Sequence, residues 1–424
     1  MNLSAALRLS SASLWHRRGI LALVTITLTL SVMLLLGIQY LRTEVRQSFT
    51  NTIANTDLIV GARSGQLNLL LYSVFHLGDA TNNIRWSSYQ SLKQDPLVAW
   101  TVPLSLGDSY QGYRVVGTDD NFLAYVQFGN GQSLELAAGQ WFTQLFDVVL
   151  GAEVARAMAH QPGDDIVLAH GGGRVSFVNH NQTPFRVSGV LAATGTPIDR
   201  AVYVSLPGLE AIHVGWEAGV PLPGRTPSAA QLETMNLAPD SLTATLVGLK
   251  NRMMTFRLQR QLNQSPEEPL TAILPGVALS ELWRLLGQFE KTLLGITGFV
   301  VVTSLIGLAT VLLTLQVHRK QEVAILRAAG ASPSLIASLY LLECLLLALL
   351  ASGCALVIIY ASIAASSDWL LQQFGLAIGV RPLDTTEWSI LAGVPAAALL
   401  VGILPALRAW WRSRETQFGT TSTE

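Results

Sequence analysis

Four stretches of the chain, residues 20–41, 293–317, 338–363 and 388–411, are apolar almost without interruption. Each reaches the roughly 20 residues that a helix needs to cross the hydrocarbon core of a bilayer. Between the first two lies a long segment, 42–292, whose pattern is different. Residues 113–116, 147–151, 165–169, 175–179, 185–190 and 201–205 are short strand-like runs, and 87–94 and 153–160 are rich in helix formers. The stretch 215–240, rich in Pro, Gly and Ala, reads as an exposed loop. The pattern predicts an integral membrane α-helical protein with four transmembrane helices and a large α+β extracytoplasmic domain between helices one and two.

The ends of that outer segment read as helices that prolong the spans. Leu279, Leu282, Leu286 and Phe289 recur at steps of three and four, the spacing of a seam between packed helices, and so predict a stalk. The first span follows Arg17 and Arg18 as a signal peptide would, but its apolar run is too long and no small-residue cleavage site follows. It reads as a retained anchor. Basic residues set the orientation. Arg8, Arg17 and Arg18 precede span one, Arg319, Lys320 and Arg327 lie between spans two and three, and Arg408, Arg412 and Arg414 follow span four. The loop between spans three and four holds Arg381 against Asp368, Asp384 and Glu387. Both termini and the middle loop are therefore expected inside. The expected order is an interfacial helix at 1–19 built on Leu3, Leu7 and Leu14, a first span at 20–41 and the stalk and outer domain at 42–292. Span two at 293–317, an inner loop at 318–337, span three at 338–363, a short outer loop at 364–387, span four at 388–411 and a tail at 412–424 complete it.

Charge and candidate chemistry narrow the function. Charged residues make up 13% of the chain, against about 25% in soluble domains. With 27 basic and 28 acidic side chains there is no electrostatic footprint for nucleic acid. Cys344 and Cys354 fall in one span, which leaves no disulfide framework and no thiol metal site. No lysine follows a glycine, so no P-loop can form and the chain does not hydrolyse ATP unaided. Zinc-protease and serine-hydrolase signatures are absent as well. Catalytic, cofactor-binding and metal-ligating residues are accordingly assigned as none. His170 and His180 could flank one hairpin turned at Gly171-Gly172-Gly173, but they read as solvated surface histidines.

Two apolar or polar anomalies stand out. Leu69, Leu70, Leu71 and Phe75 form a block unusually hydrophobic for an outer loop, either a substrate or partner surface or a buried helix of the outer core. Glu343 is a carboxylate near the inner end of span three; a structural role, reaching the interface or pairing with Arg327, is preferred to an ion relay.

In the inner loop, helix formers run from Arg319 to Ala329, Gly330 supplies a left-handed stop and Ser332-Pro333 opens the next helix. The stretch from Arg319 through Glu322, Leu326, Arg327 and Gly330 to Ser332 resembles the FtsX-like permease domain of MacB-type and lipoprotein-extracting ABC transporters. There, a similar R-x-x-E-[IV]-A-x-L-R-A-x-G-A-S lies between spans two and three. Leu404-Pro405-Ala406-Leu407-Arg408-Ala409 is similar to that family's exit from span four, and parts of 134–206 resemble the MacB-type periplasmic core. The sequence departs from full MacB in having no fused nucleotide-binding domain.

The resemblance implies a permease subunit without its own ATPase activity in a bacterial inner membrane. Arg319, Glu322, Leu326, Arg327, Gly330 and Ser332 would couple it to a separate ABC ATPase subunit that binds ATP-Mg. It implies a permease homodimer or heterodimer, contact with lipid and with a periplasmic adaptor or substrate protein, and expulsion or extraction of a periplasmic or lipophilic substrate. The alternatives are an FtsX-like transducer that activates an outer enzyme, and a component of a metal-homeostasis or import system.

Overall fold

The computed structural model describes residues 18–51, 55–129, 131–171, 183–215, 227, 229–318, 320–374 and 378–415. The interfacial helix at 1–19, the strand at 175–179, His180 and Arg319 fall wholly or largely outside them. The chain divides into a membrane unit (1–44, 287–367 and 378–424) and an outer unit (45–286 and 368–377).

Among the described residues, five helices contribute to the membrane unit: α1 (Arg18–Asn51), α7 (Pro275–His318), α8 (Lys320–Ala328), α9 (Pro333–Phe374) and α10 (Thr385–Glu415). Four stretches, Gly19–Glu44, Pro275–Thr314, Pro333–Ser367 and Thr385–Trp411, are long and apolar enough to cross a membrane. In α1, Leu21, Val24, Leu28, Val32 and Leu36 recur every three or four residues and are buried with Val301, Leu305, Leu308 and Leu312 of α7. Ile20, Leu23, Ile26, Leu30 and Leu34 of α1 are exposed, the face a lipid tail would cover. Spans three and four contribute smaller residues: Ala348, Ala351, Ala355 and Ala398 line the same core. Small side chains let helix backbones approach closely where no water drives association. A Cβ added at Gly402 would meet Cys344 Sγ at 2.6 Å. Ser31 and Ser304 share a buried 2.7 Å hydroxyl hydrogen bond between spans one and two.

A polar clamp closes the outer end of this bundle around Arg381. Its Nη1 and Nη2 donate to the two Glu387 carboxylate oxygens at 3.0 and 2.7 Å, its Nε to Glu44 at 2.6 Å, and its guanidinium lies 4.3 Å over the Tyr40 ring. Its backbone N–H donates to the Tyr40 hydroxyl at 3.0 Å, and its carbonyl accepts from the Tyr360 hydroxyl at 2.9 Å. The clamp thus joins spans one, three and four. Burial opposes the Arg381 charge, but Glu387 and Glu44 outweigh it and hold the guanidinium pKa above its ordinary value.

The outer unit is built on one mixed sheet. Its strands are β1 (Leu58–Ala62), β2 (Val98–Tyr110), β3 (Tyr113–Thr118), β4 (Leu136–Gly139), β5 (Asp147–Leu150), β6 (Asp165–Ile166), β7 (Ala169–His170), β8 (Phe185–Leu191), β9 (Ala201–Ser205), β10 (Ala244–Leu249) and β11 (Leu270–Ile273). The order is β11-β1-β10-β2-β3-β9-β5-β8-β4, with β7 paired to β2 and β6 to β8. β9 runs parallel to β3, and β8 parallel to β5. Helices α2 (Gln66–Val74), α3 (Trp86–Lys93), α4 (Ala152–Met158), α5 (Leu206–His213) and α6 (Thr255–Asn263) accompany it. Both sheet faces are covered: Ile59 of β1 points into one core, while Leu58 and Val60 enter another with Leu258 and Leu262 of α6. The membrane topology and the α+β outer domain agree with the class expected from the apolar pattern.

One open alternative is decided and one expectation corrected here. Leu69, Leu70 and Phe75 are not a substrate or partner surface but, as the second of the two readings had it, buried in the outer core, and Leu71 packs against it. The reason is α2's close seat on β1, where a Cβ at Gly61 would meet Leu69 Cδ1 at 2.5 Å. Nor do the four stalk positions form one continuous seam. Leu279 is buried in the outer core with Leu282 packed against it, whereas Leu286 and Phe289 are exposed.

Replacing Arg381 with Ala leaves two carboxylates without their cation and should destabilise the membrane unit by about 3–5 kcal/mol. Thermal unfolding in detergent reads this, with Arg381→Lys restoring only part because an ammonium lacks the bidentate fork; an unchanged midpoint would refute the clamp. Leu70→Ala should cost the outer domain about 2–5 kcal/mol, visible as faster amide exchange in β1 and α2. Full protection with lost function would return Leu70 to a surface role.

Candidate ATPase-coupling site

The inner loop folds as its residue types dictate. Helix α8 ends in a Schellman arrangement: the Ala331 N–H donates to the Leu326 carbonyl and the Gly330 N–H to the Arg327 carbonyl, both at 2.9 Å. Gly330 has φ +86°, a conformation that costs a residue with a Cβ about 1–2 kcal/mol. Ser332 caps α9 by accepting the Leu335 N–H at 3.3 Å, with Pro333 in the first helical position. Arg327 Nη1 donates to the Ala331 carbonyl at 2.9 Å, which ties the helix to its own exit turn. Caps at both ends of the turn hold α8 at a set angle to α9.

Val323 anchors the other side of α8. It packs against Ile336 and Tyr340 of α9 and Ala406 and Ala409 of α10. At 100° per residue, Ala324, Ile325 and Ala328 then fall on the opposite side, and all three are exposed, Ile325 by 69%. Leu326, expected on the docking face, is half-buried. The prominent exposed apolar side chain is therefore Ile325, which the sequence reading passed over. A single large apolar residue on the polar side of an amphipathic helix was the available signal. Of Glu322, the backbone within α8 is described.

Glu343 is enclosed by protein, with 2% of its surface exposed. It follows Tyr340 of the inner cluster by one turn and precedes Cys344 of the bundle core. A span rotation that leaves Leu341 half-buried and Tyr340 and Cys344 inside carries Glu343 inward with them.

Residues 21–240 match the family model described as the MacB-like periplasmic core domain, and residues 294–417 match the FtsX-like permease C-terminal model. The chain belongs to the MacB/FtsX-like family of ABC transporter permeases. Similar solved structures include the periplasmic region of MacB from Actinobacillus actinomycetemcomitans, at 12% identity and TM-score 0.34, covering 55% of this chain and 94% of that one. Another is the extracellular domain of the noncanonic ABC-type transporter YknZ from Gram-positive bacteria, at 13% identity and TM-score 0.30, covering 52% and 100%. The family assignment rests on the two sequence matches. No curated protein matches the chain. In this permease α8 is the segment between spans two and three, and its side away from Val323 carries Ala324, Ile325 and Ala328.

Proposed function

We propose that this permease transmits ATP-driven motion from a separate ABC ATPase subunit to its outer domain, and thereby expels or extracts a periplasmic or lipophilic substrate. The observation that carries this reading is α8: braced against spans three and four by Val323, it offers Ile325 on its free face. A partner groove that accepts Ile325 would move α8 as it closes, and the Gly330–Pro333 turn would pass that movement to α9. Helix α7 is unbroken from Pro275 to His318, carries Ala278 and Leu279 in the outer domain's core and ends just before α8. It is the direct covalent lever for such a stroke.

Hydrolysis belongs to the partner, because no lysine of this chain follows a glycine. Two ATPase sites call for two permease copies, identical or related. The basic flanks support an orientation with both termini and α8 in the cytoplasm and the outer domain on the far side of the membrane, which for a permease of this kind would be the bacterial inner membrane. In the transducer alternative residues 57–84 would be a partner-docking surface, and within that segment Leu69, Leu70 and Phe75 are buried in the outer core.

Ile325→Asp should weaken association with the ATPase by about 30-fold or more, the loss of one interface anchor of about 2 kcal/mol, and leave insertion intact. Co-purification and coupled ATPase assays read this, beside the double variant Glu322→Ala/Leu326→Ala. Wild-type coupling in both variants would reduce α8 to a connector. For topology, a cysteine at exposed Ser133 in a version lacking Cys344 and Cys354 should react with an impermeant maleimide from outside, and one at Ala328 only after permeabilisation. The opposite pattern would invert the permease.

A further inference from the structure

A second cluster, unconnected with ATP coupling, lies in the outer domain. The register of β2 against β3 shifts between Leu106 and Ser109, a bulge that includes Asp108. Bulges re-aim side chains, often beside functional sites. Here Asp108 is fully buried within a strand. Strand β7 pairs with β2 in a register that sets His170 directly opposite Asp108. His213 arrives from a third direction as the last residue of α5, a helix whose start is capped by Ser205 accepting the Gly208 N–H at 3.0 Å. His170, expected as a solvated surface histidine, thus meets Asp108 and His213; His180 lies outside the described residues.

The distances are close to those of a coordination sphere. His170 Nδ1 lies 3.1 Å from Asp108 Oδ1, His213 Nε2 lies 3.4 Å from Asp108 Oδ2, and the two imidazole nitrogens are 3.3 Å apart. A tetrahedral zinc ion with bonds of about 2.0–2.1 Å sets its ligand atoms roughly 3.3–3.4 Å from one another. The candidate ligand atoms of Asp108, His170 and His213 all lie within 4.8 Å of one another.

Hydrogen placement points the same way. His213 Nδ1 is 2.8 Å from the Leu209 carbonyl oxygen and donates its hydrogen there, so that Nε2 is the ring nitrogen turned to the carboxylate. A backbone carbonyl that holds the far nitrogen in this way is the usual outer support of a metal-ligating histidine.

We infer that Asp108, His170 and His213 form a binding site for a divalent transition-metal ion of the zinc class on the outer domain. Two imidazoles and one carboxylate favour such ions over magnesium or calcium, which prefer oxygen ligands throughout. The His170 and His213 side chains are 40% and 29% exposed, so water or a further ligand can complete the sphere from solvent. The ion staples strand β2, strand β7 and the end of α5, segments 62 and 43 residues apart along the chain. This site stands independently of the transport reading.

The test is calorimetric titration of the metal-stripped full chain in detergent with Zn2+. One equivalent should bind with a dissociation constant of about 10 μM or tighter, unaffected by excess Mg2+, and His170→Ala and His213→Ala should each weaken it at least about 10-fold. Both rings are partly exposed, so these variants should fold; His170→Gln and His213→Gln serve as milder versions, and amide exchange of β2 and α5 checks integrity. Co2+ bound in place of Zn2+ should give visible d–d absorption that the same variants abolish. Absence of saturable binding, or one-to-one binding that the histidine variants leave unchanged, overturns the site. The triad would then be an imidazolium hydrogen-bonded to a buried carboxylate.

Discussion

The backbone of a membrane-crossing segment has no water to bond, so each of its N–H and C=O groups must find a partner within the segment itself. That constraint favours helix for Gly19–Glu44, Pro275–Thr314, Pro333–Ser367 and Thr385–Trp411; Pro395 and Pro405 inside α10 each remove one backbone donor from it. It also leaves the side chains little hydrophobic reason to associate, because lipid is as apolar as Leu. Packing and polar contacts must then supply specificity. In this bundle they are Gly402 against Cys344, the Ser31–Ser304 hydroxyl pair, and the Arg381 clamp with Glu44, Glu387, Tyr40 and Tyr360.

The outer domain obeys the opposite regime. Water drives its apolar residues inward, and the sheet is covered on both faces, so β1 and β10 are buried at every position. The same demand absorbs α2 and the first turns of α7, which converts an apparently exposed apolar block into core. With that block buried, the polar residues of the outer domain gain weight as sources of chemistry, Asp108 first among them.

At the inner end the two regimes meet in a short helix. Val323 is drawn into the cluster of Ile336, Tyr340, Ala406 and Ala409, and the caps at Gly330 and Ser332 leave α8 no freedom to bury its other side. Ile325 is exposed as a consequence of how α8 is tied rather than of its own preference. A partner ATPase would gain from covering it, which is why the coupling reading rests on this residue and its neighbours.

The four spans were legible in the sequence because membrane insertion reads hydrophobicity over a long window, which the single carboxylate Glu343 in span three does not break. The turn at Gly330–Pro333 was legible because left-handed backbone and helix starts have their own residue chemistry. Strands β1, β10 and β11 were not, since a strand buried on both faces shows no alternation. Nor was the fate of Leu70, Glu343 or Leu326, where a helix's rotation about its axis, set by its neighbours, decides burial. The meeting of Asp108, His170 and His213 lay furthest out of reach: it needs a bulge in β2, the register of β7 and the end point of α5 together. Local sequence determines which segments become helices and turns; only long-range packing decides which of their side chains face one another.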